Sequence, residues 1–174
     1  MFKKLLLIIL FFCPSLSRAF ELSQFVVDEP FLAPDIRFID DKNFMHSLSD
    51  FKGQVVVLSF WATWCEPCVR EMPALFRLYK ALQGKDVAIL PISVDFKGVS
   101  VVKPFYQQNG LENFPIFLDD KGRAFKDFKI QALPSAFVID RKGNVVAKVM
   151  GEMDWDNEAN KNYLLQLNRA KIKE

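Results

Sequence analysis

The segment QVVVLSFWATWCEPCVREMPALFRLYKALQG, residues 54–84, constrains this chain more than any other. It opens on a β-branched, apolar run with little polar alternation, QVVVLSFW, which predicts a strand buried on both faces. Within a few residues the spacing changes. Val69, Met72, Leu75-Phe76, Tyr79 and Leu82 recur at intervals of three and four. That predicts a helix starting at about Cys65 and stopping at Gly84. A second buried strand, DVAILPISVD (86–95), follows. Strand, helix and strand in this order make a parallel pair. At the junction of strand and helix stand two cysteines, Cys65 and Cys68, two residues apart.

The flanking sequence builds outward from this unit. DIRFID and NFMHS flank Asp41-Lys42 and read as an N-terminal β-hairpin, with LSDFKG as a loop after it. VSVVKPFYQQNG (99–110) reads as a helix with Pro104 near its start, FPIFLD as a strand and 123–128 as a helical turn. LPSAFVID and NVVAKVMG flank Arg141-Lys142-Gly143 and read as an antiparallel hairpin. From Asp154, a candidate N-cap, a last amphipathic helix places Trp155, Ala159, Tyr163 and Leu167 inward. The expected fold class is α/β: a mixed central sheet flanked by helices on both faces.

The N-terminus follows a different pattern. Lys3 and Lys4, an apolar run from Leu5 to Phe12 and the small residues Ser17 and Ala19 describe a secretory signal peptide cut after Ala19. The run is far shorter than the roughly 20 residues of a spanning helix; the alternative is an uncleaved membrane anchor. The organisation is therefore a signal peptide over 1–19, an extended N-terminal segment over 20–34 and one domain over 35–174. Loss of residues 1–19 removes Cys13, so Cys65 and Cys68 become the only cysteines. It also turns a net charge of +2 into 20 basic against 21 acidic residues. No basic stripe offers a nucleic-acid surface. Eighteen phenylalanines predict a core rich in aromatics.

Export implies a compartment where disulfides persist, which leaves three roles for the pair. A structural bridge spanning two residues constrains little chain entropy. Zinc needs about four ligands, and the chain has no second cysteine pair and a single histidine, His46. A redox dithiol fits best. A helix N-terminus presents unpaired N–H groups and a positive dipole, both favouring a thiolate at Cys65. Pro67 suits the first turn. Glu66 opposes the thiolate electrostatically, which leans the pair toward a reductant. Cys65 attacks a target disulfide and Cys68, on the same helix face, resolves the mixed disulfide. Glu71 lies three residues beyond Cys68. It is either the base that takes the Cys68 proton or a solvated helix carboxylate.

FWATWCEPC resembles the active site of thioredoxin-fold proteins, and ALPSAFVID resembles their cis-proline segment. The closer resemblance is to the exported TlpA/ResA/CcmG (DsbE) branch of thiol–disulfide oxidoreductases. It rests on the signal peptide, the WCEPC…E pattern and the extra helical segment at about 98–113, and it spans roughly 33–153. The resemblance implies a thioredoxin fold with a helical insertion. It implies a cis bond at Pro134, a helix bend at Pro73, and an active-site acid at Glu71. The substrate face is expected from Trp64, Glu66 and Pro67, with Trp61 shaping the surround, and from Pro134 and the Leu133 backbone opposite, where a substrate chain adds like a strand. Classical thioredoxins have a buried Asp where this chain has Ser59. The implied partners are disulfides of periplasmic proteins, with apocytochrome c among the candidates, and a membrane-embedded thiol electron donor; no cofactor and no metal is expected. Two rival readings share the fold. A peroxiredoxin-type peroxidase needs Pro-x-x-x-Thr-x-x-Cys, but Thr63 is two residues before Cys65. A copper-handling assembly protein needs Cys-x-x-x-Cys and a histidine after the motif, which this chain lacks.

Overall fold

The computed structural model describes residues 25–119 and 121–169; the signal-peptide reading of residues 1–19 lies outside them. The central strand is β4 (Val55–Trp61), all seven residues of which are buried. Its side chains alternate between two cores. Val55, Val57 and Trp61 join a cluster built with helix α1 (Glu66–Leu82), while Val56, Leu58 and Phe60 join a second cluster on the opposite face. That two-sided burial explains the unalternated apolar run.

Among the described residues the sheet has eight strands, in the order β1-β8-β7-β4-β5-β6-β2-β3. The hairpin β2 (Arg37–Asp40) and β3 (Met45–Ser47) forms one edge. A 3-10 turn, Leu48–Phe51, occupies what reads in sequence as a plain loop; Ser47 and Asp50 close it with reciprocal side-chain bonds. β4 pairs in parallel with β5 (Val87–Ser93), which pairs in parallel with β6 (Phe117–Leu118). Both parallel steps move the same way across the sheet. Right-handed crossovers therefore put α1 and α2 (Val99–Gln108) on one face, and Val102 and Tyr106 of α2 do pack with the α1 cluster. Helix α4 (Glu158–Arg169) joins that face through Leu164. On the other face, the short α3 (Arg123–Asp127) and the residue after it bring Ala124 and Phe128 against Phe60 and Phe137. The sheet is completed by the antiparallel strands β7 (Ser135–Ile139) and β8 (Asn144–Met150).

Four local expectations are amended. Val26–Leu32, within the segment read only as extended, is a true strand, β1, pairing with β8 at the other sheet edge. A register irregularity between Val26 and Phe31 brackets Pro30; a proline is tolerated on an edge strand because no ladder bond is asked of it there. Pro104 falls in the middle of α2 rather than near its start. It sits on the exposed side of the helix, where water can take the carbonyl freed at Ser100. The last helix begins at Glu158, not at Asp154, because Trp155 turns inward to full burial. Its cap is Asn157, whose Oδ1 accepts from the Asn160 N–H at 2.8 Å. Asn160 and Leu164 form its buried stripe, and Ala159 is exposed.

Candidate active site

Cys65 is the N-cap of α1, with extended backbone and no side-chain cap. Its N–H donates to the Ala62 carbonyl at 3.1 Å, and its own carbonyl accepts from Val69 N–H at 3.0 Å. The first-turn N–H groups are thus left facing the Cys65 sulfur region, the environment that favours a thiolate. Pro67 occupies the first turn, as the sequence predicts. Cys65 and Cys68 form a disulfide, with Cα atoms 5.2 Å apart. The two sulfurs are unequal in access: Cys65 is 6% exposed and Cys68 0%. An attacking and a resolving thiol require that asymmetry.

A groove of about 520 Å³ opens over Cys65. Trp64, Pro67, Val94, Phe125 and Leu133 line it together with Cys65. The Leu133–Pro134 peptide is cis. Among the described residues, neither the N–H nor the C=O of Leu133 takes a hydrogen bond within the chain. Of the residues expected at the substrate face, Trp64, Pro67 and Leu133 line the groove together. Pro134 is buried behind it, and its carbonyl accepts from Gly151 N–H at 2.9 Å. Glu66 does not line the groove; its Oε1 accepts from Arg70 Nη1 at 3.0 Å. Trp61 belongs to the core rather than the site. It is fully buried and stacks on Tyr106 at 5.8 Å between ring centroids.

Glu71 is not a solvated carboxylate. It is 3% exposed, and its Oε2 accepts from Met153 N–H at 3.1 Å. Burial pushes its pKa up to about 8, although the Met153 bond and the Trp155 indole beside it pull the other way. Glu71 Oε1 and Trp155 Nε1 are both buried without a hydrogen bond of normal geometry. The carboxyl borders a second cleft, on the flank of α1 away from the groove, with Arg70, Arg77 and Glu152. Ser59 is buried beneath α1, and its hydroxyl also lacks a partner.

Two contributors escape the sequence reading. Asp95, at the end of β5, is buried and holds the loop before Cys65: Thr63 N–H donates to its Oδ2 at 2.9 Å and Thr63 Oγ1 to its Oδ1 at 2.7 Å. Ser93 Oγ steadies the carboxylate at 2.9 Å. Arg70 is the other. Besides Glu66, it bonds Glu152, with Nη2 2.8 Å and Nε 2.9 Å from Oε2. The charge of Glu66 beside the dithiol is therefore shared in an exposed ion-pair network rather than acting alone. The sequence signal for Arg70 was the four-residue spacing from Glu66; Asp95 carried none. His46, the one histidine, lies on β3 at the sheet edge, with its Nε2 3.3 Å from Asp40 Oδ2 and three strands between it and β4.

A thioredoxin-type sheet with a cysteine pair at the N-terminus of the central helix, facing a cis-proline, defines a thiol–disulfide oxidoreductase. Residues 32–148 match the AhpC/TSA family. The chain is 40% identical over 121 residues to the thiol-disulfide oxidoreductase ResA of Geobacillus kaustophilus, covering 70% of this chain and 68% of that one. It is 36% identical to ResA of Bacillus subtilis over 70% and 66% of the two chains. Among solved structures, a Chlorobium tepidum protein described as a thiol:disulfide interchange protein DsbE superposes with a TM-score of 0.71 at 28% identity, covering 82% of this chain and 99% of that one. The chain belongs to the AhpC/TSA family of thioredoxin-fold proteins and, within it, to the thiol–disulfide oxidoreductases of the ResA type.

Proposed function

We propose that this protein is exported and reduces disulfides of periplasmic proteins, apocytochrome c among them, drawing its electrons from a membrane-embedded thiol donor. The observation that carries the reading is the joining of a barely exposed Cys65 to a fully buried Cys68 at the floor of a groove. Leu133, which lines the same groove, has a backbone N–H and C=O that take no hydrogen bond among the described residues. An extended substrate segment adds to that backbone and places its disulfide on Cys65. The Cys65 thiolate attacks one substrate sulfur, forms the mixed disulfide and releases the other as a thiolate. Glu71 takes the proton of Cys68, whose thiolate then attacks the Cys65 sulfur. The second substrate thiolate leaves with the two electrons transferred; the two substrate thiolates are protonated by the proton held on Glu71 and by one from water, and the protein is left as the Cys65–Cys68 disulfide. Two electrons from the donor restore the dithiol. Among the described residues no helix is long and apolar enough to cross a membrane.

Cys68→Ser tests the assignment. The variant is expected to accumulate mixed disulfides through Cys65 with proteins of the exported compartment, and mass spectrometry identifies them. Adducts that persist when Cys65 is also replaced by Ser would refute the attack assignment. The direction is read from the reduction potential: a value near the reducing end of the roughly −270 to −120 mV range of such dithiols is expected, and one near −120 mV rules out the reductant role.

A further inference from the structure

Phe96 is 99% exposed, so its ring contacts almost nothing in its own chain. Isolated exposed apolar residues are ordinary, but this one is not isolated. Asp95, the residue before it, bonds Thr63, and the residue after Thr63 is Trp64, itself 69% exposed. Each aromatic is thus the next residue along from one end of the same buried bridge. Val94, two residues before Phe96, lines the groove over Cys65. The chain therefore leaves the groove at Val94 and is pinned at Asp95, and Phe96 is the next residue, as Trp64 is the next after Thr63. The bridge ties the two backbones together next to each exposed aromatic, and Trp64 itself lines the groove.

We propose that Phe96 is a specificity-determining residue: with Trp64 it forms an apolar rim that selects extended polypeptide disulfides carrying a large apolar side chain next to the attacked cysteine. This rests on the reductase reading above and adds what the site prefers. The occupant follows from continuity. The rim adjoins the groove over the reactive sulfur, whose lining by Trp64, Val94, Phe125 and Leu133 is itself apolar, so a chain lying there brings its own apolar side chains against both. Folding such a chain's apolar side chain onto a ring that is otherwise in water removes apolar surface from both partners.

The experiment compares two synthetic peptides containing a single disulfide, one with Phe and Leu flanking each cysteine and one with Gly and Ser there. The reduced full chain is assayed as wild type, Phe96→Ala and Phe44→Ala. Phe44 is an equally apolar, exposed residue on the distant β2–β3 hairpin. The wild type and Phe44→Ala are expected to favour the apolar-flanked peptide in kcat/KM. In Phe96→Ala that preference falls by about tenfold, the scale set by burying most of a phenyl ring, with the change carried by KM. Unchanged thermal unfolding of Phe96→Ala is the expected companion result. A wild type that reduces neither peptide overturns the reductase reading and this proposal with it. A wild type that reduces both, with the same preference in Phe96→Ala, overturns the rim assignment alone. So does sedimentation showing that Phe96→Ala converts a wild-type dimer to monomer without changing the preference, because the rim is then a contact between copies of this chain.

Discussion

At the scale of single residues, Glu71 has the most to report. Its carboxyl is buried under the loop after β8, and burial lifts its pKa from 4.5 to about 8 against the opposing hydrogen bond from Met153. In the unfolded chain it ionises near 4.5. Between those values the folded protein keeps a proton that the unfolded chain has released. The associated stability is complete below about pH 4.5 and is lost as the pH rises through 8. Glu71→Gln is neutral at every pH and keeps an oxygen for the Met153 N–H. The variant's thermal midpoint is expected to vary less with pH than the parent's, and to exceed the parent's at pH 8 by a margin that shrinks toward pH 5. Parallel curves would show that the carboxyl ionises normally. In the reaction, the same substitution removes the proposed base and is expected to slow resolution of the mixed disulfide by roughly 100-fold at pH 8 and above, where the parent's carboxyl is ionised enough to accept a proton, and by less as the pH falls. Stopped-flow measurement with a chromogenic disulfide separates that step from the Cys65 attack.

At the scale of elements, the site is assembled where the ends of β4, β5 and β7 meet the start of α1. Helix α1 supplies both sulfurs, but the loop that aims Cys65 is held from β5, through Asp95. All three donors to that carboxylate, Thr63 N–H, Thr63 Oγ1 and Ser93 Oγ, are met by its two oxygens. An amide has only one acceptor oxygen, so Asp95→Asn leaves at least one of them unpaired in a buried place. The expected cost is about 1–3 kcal/mol, seen as a lower thermal midpoint, together with a slower Cys65 attack on a small disulfide. A variant that loses stability and keeps the attack rate would assign Asp95 to the fold alone. The strand and helix of this junction are visible in the sequence because their side chains repeat over a dozen residues. The clamp is not visible, because Thr63 and Asp95 are 32 residues apart and an aspartate after a strand has no spacing pattern to betray it.

At the scale of the whole molecule, two cores share one sheet, and the dithiol helix depends on both. The face opposite α1 is an aromatic cluster in which Phe137 lies 4.5 Å from Phe128 and 6.3 Å from Phe60 between ring centroids. Phe137→Ala is expected to destabilise the fold by about 3–5 kcal/mol, lowering the thermal midpoint by roughly ten degrees. The Cys65–Cys68 reduction potential is expected to stay unchanged, because the cavity lies across the sheet from the sulfurs. A calorimetric scan and a redox titration on the same sample check both halves. The edges of the sheet also belong to this scale. β1 docks on β8 across more than a hundred residues of chain, and Pro30 within it and Pro34 just after it hide it from a strand search.

Apart from β1, the order of strands and helices, the paired cysteines and the cis-proline segment were legible from the sequence alone. Each is written in local periodicity, in the chemistry of a helix terminus, or in a short motif that a resemblance can match. What the tertiary structure decided is every relation between distant segments. It placed Glu71 under Met153, 82 residues away, and made a buried acid of what could have been a solvated one. It shared the charge of Glu66 with Arg70 and Glu152, buried Trp61 in the core, and tied together the residues before Trp64 and Phe96 through Thr63 and Asp95. Burial and pairing are properties of the packed chain, since they depend on which surfaces meet across the fold. A residue's type and spacing state what it can do, and its neighbours in space decide which of those things it does.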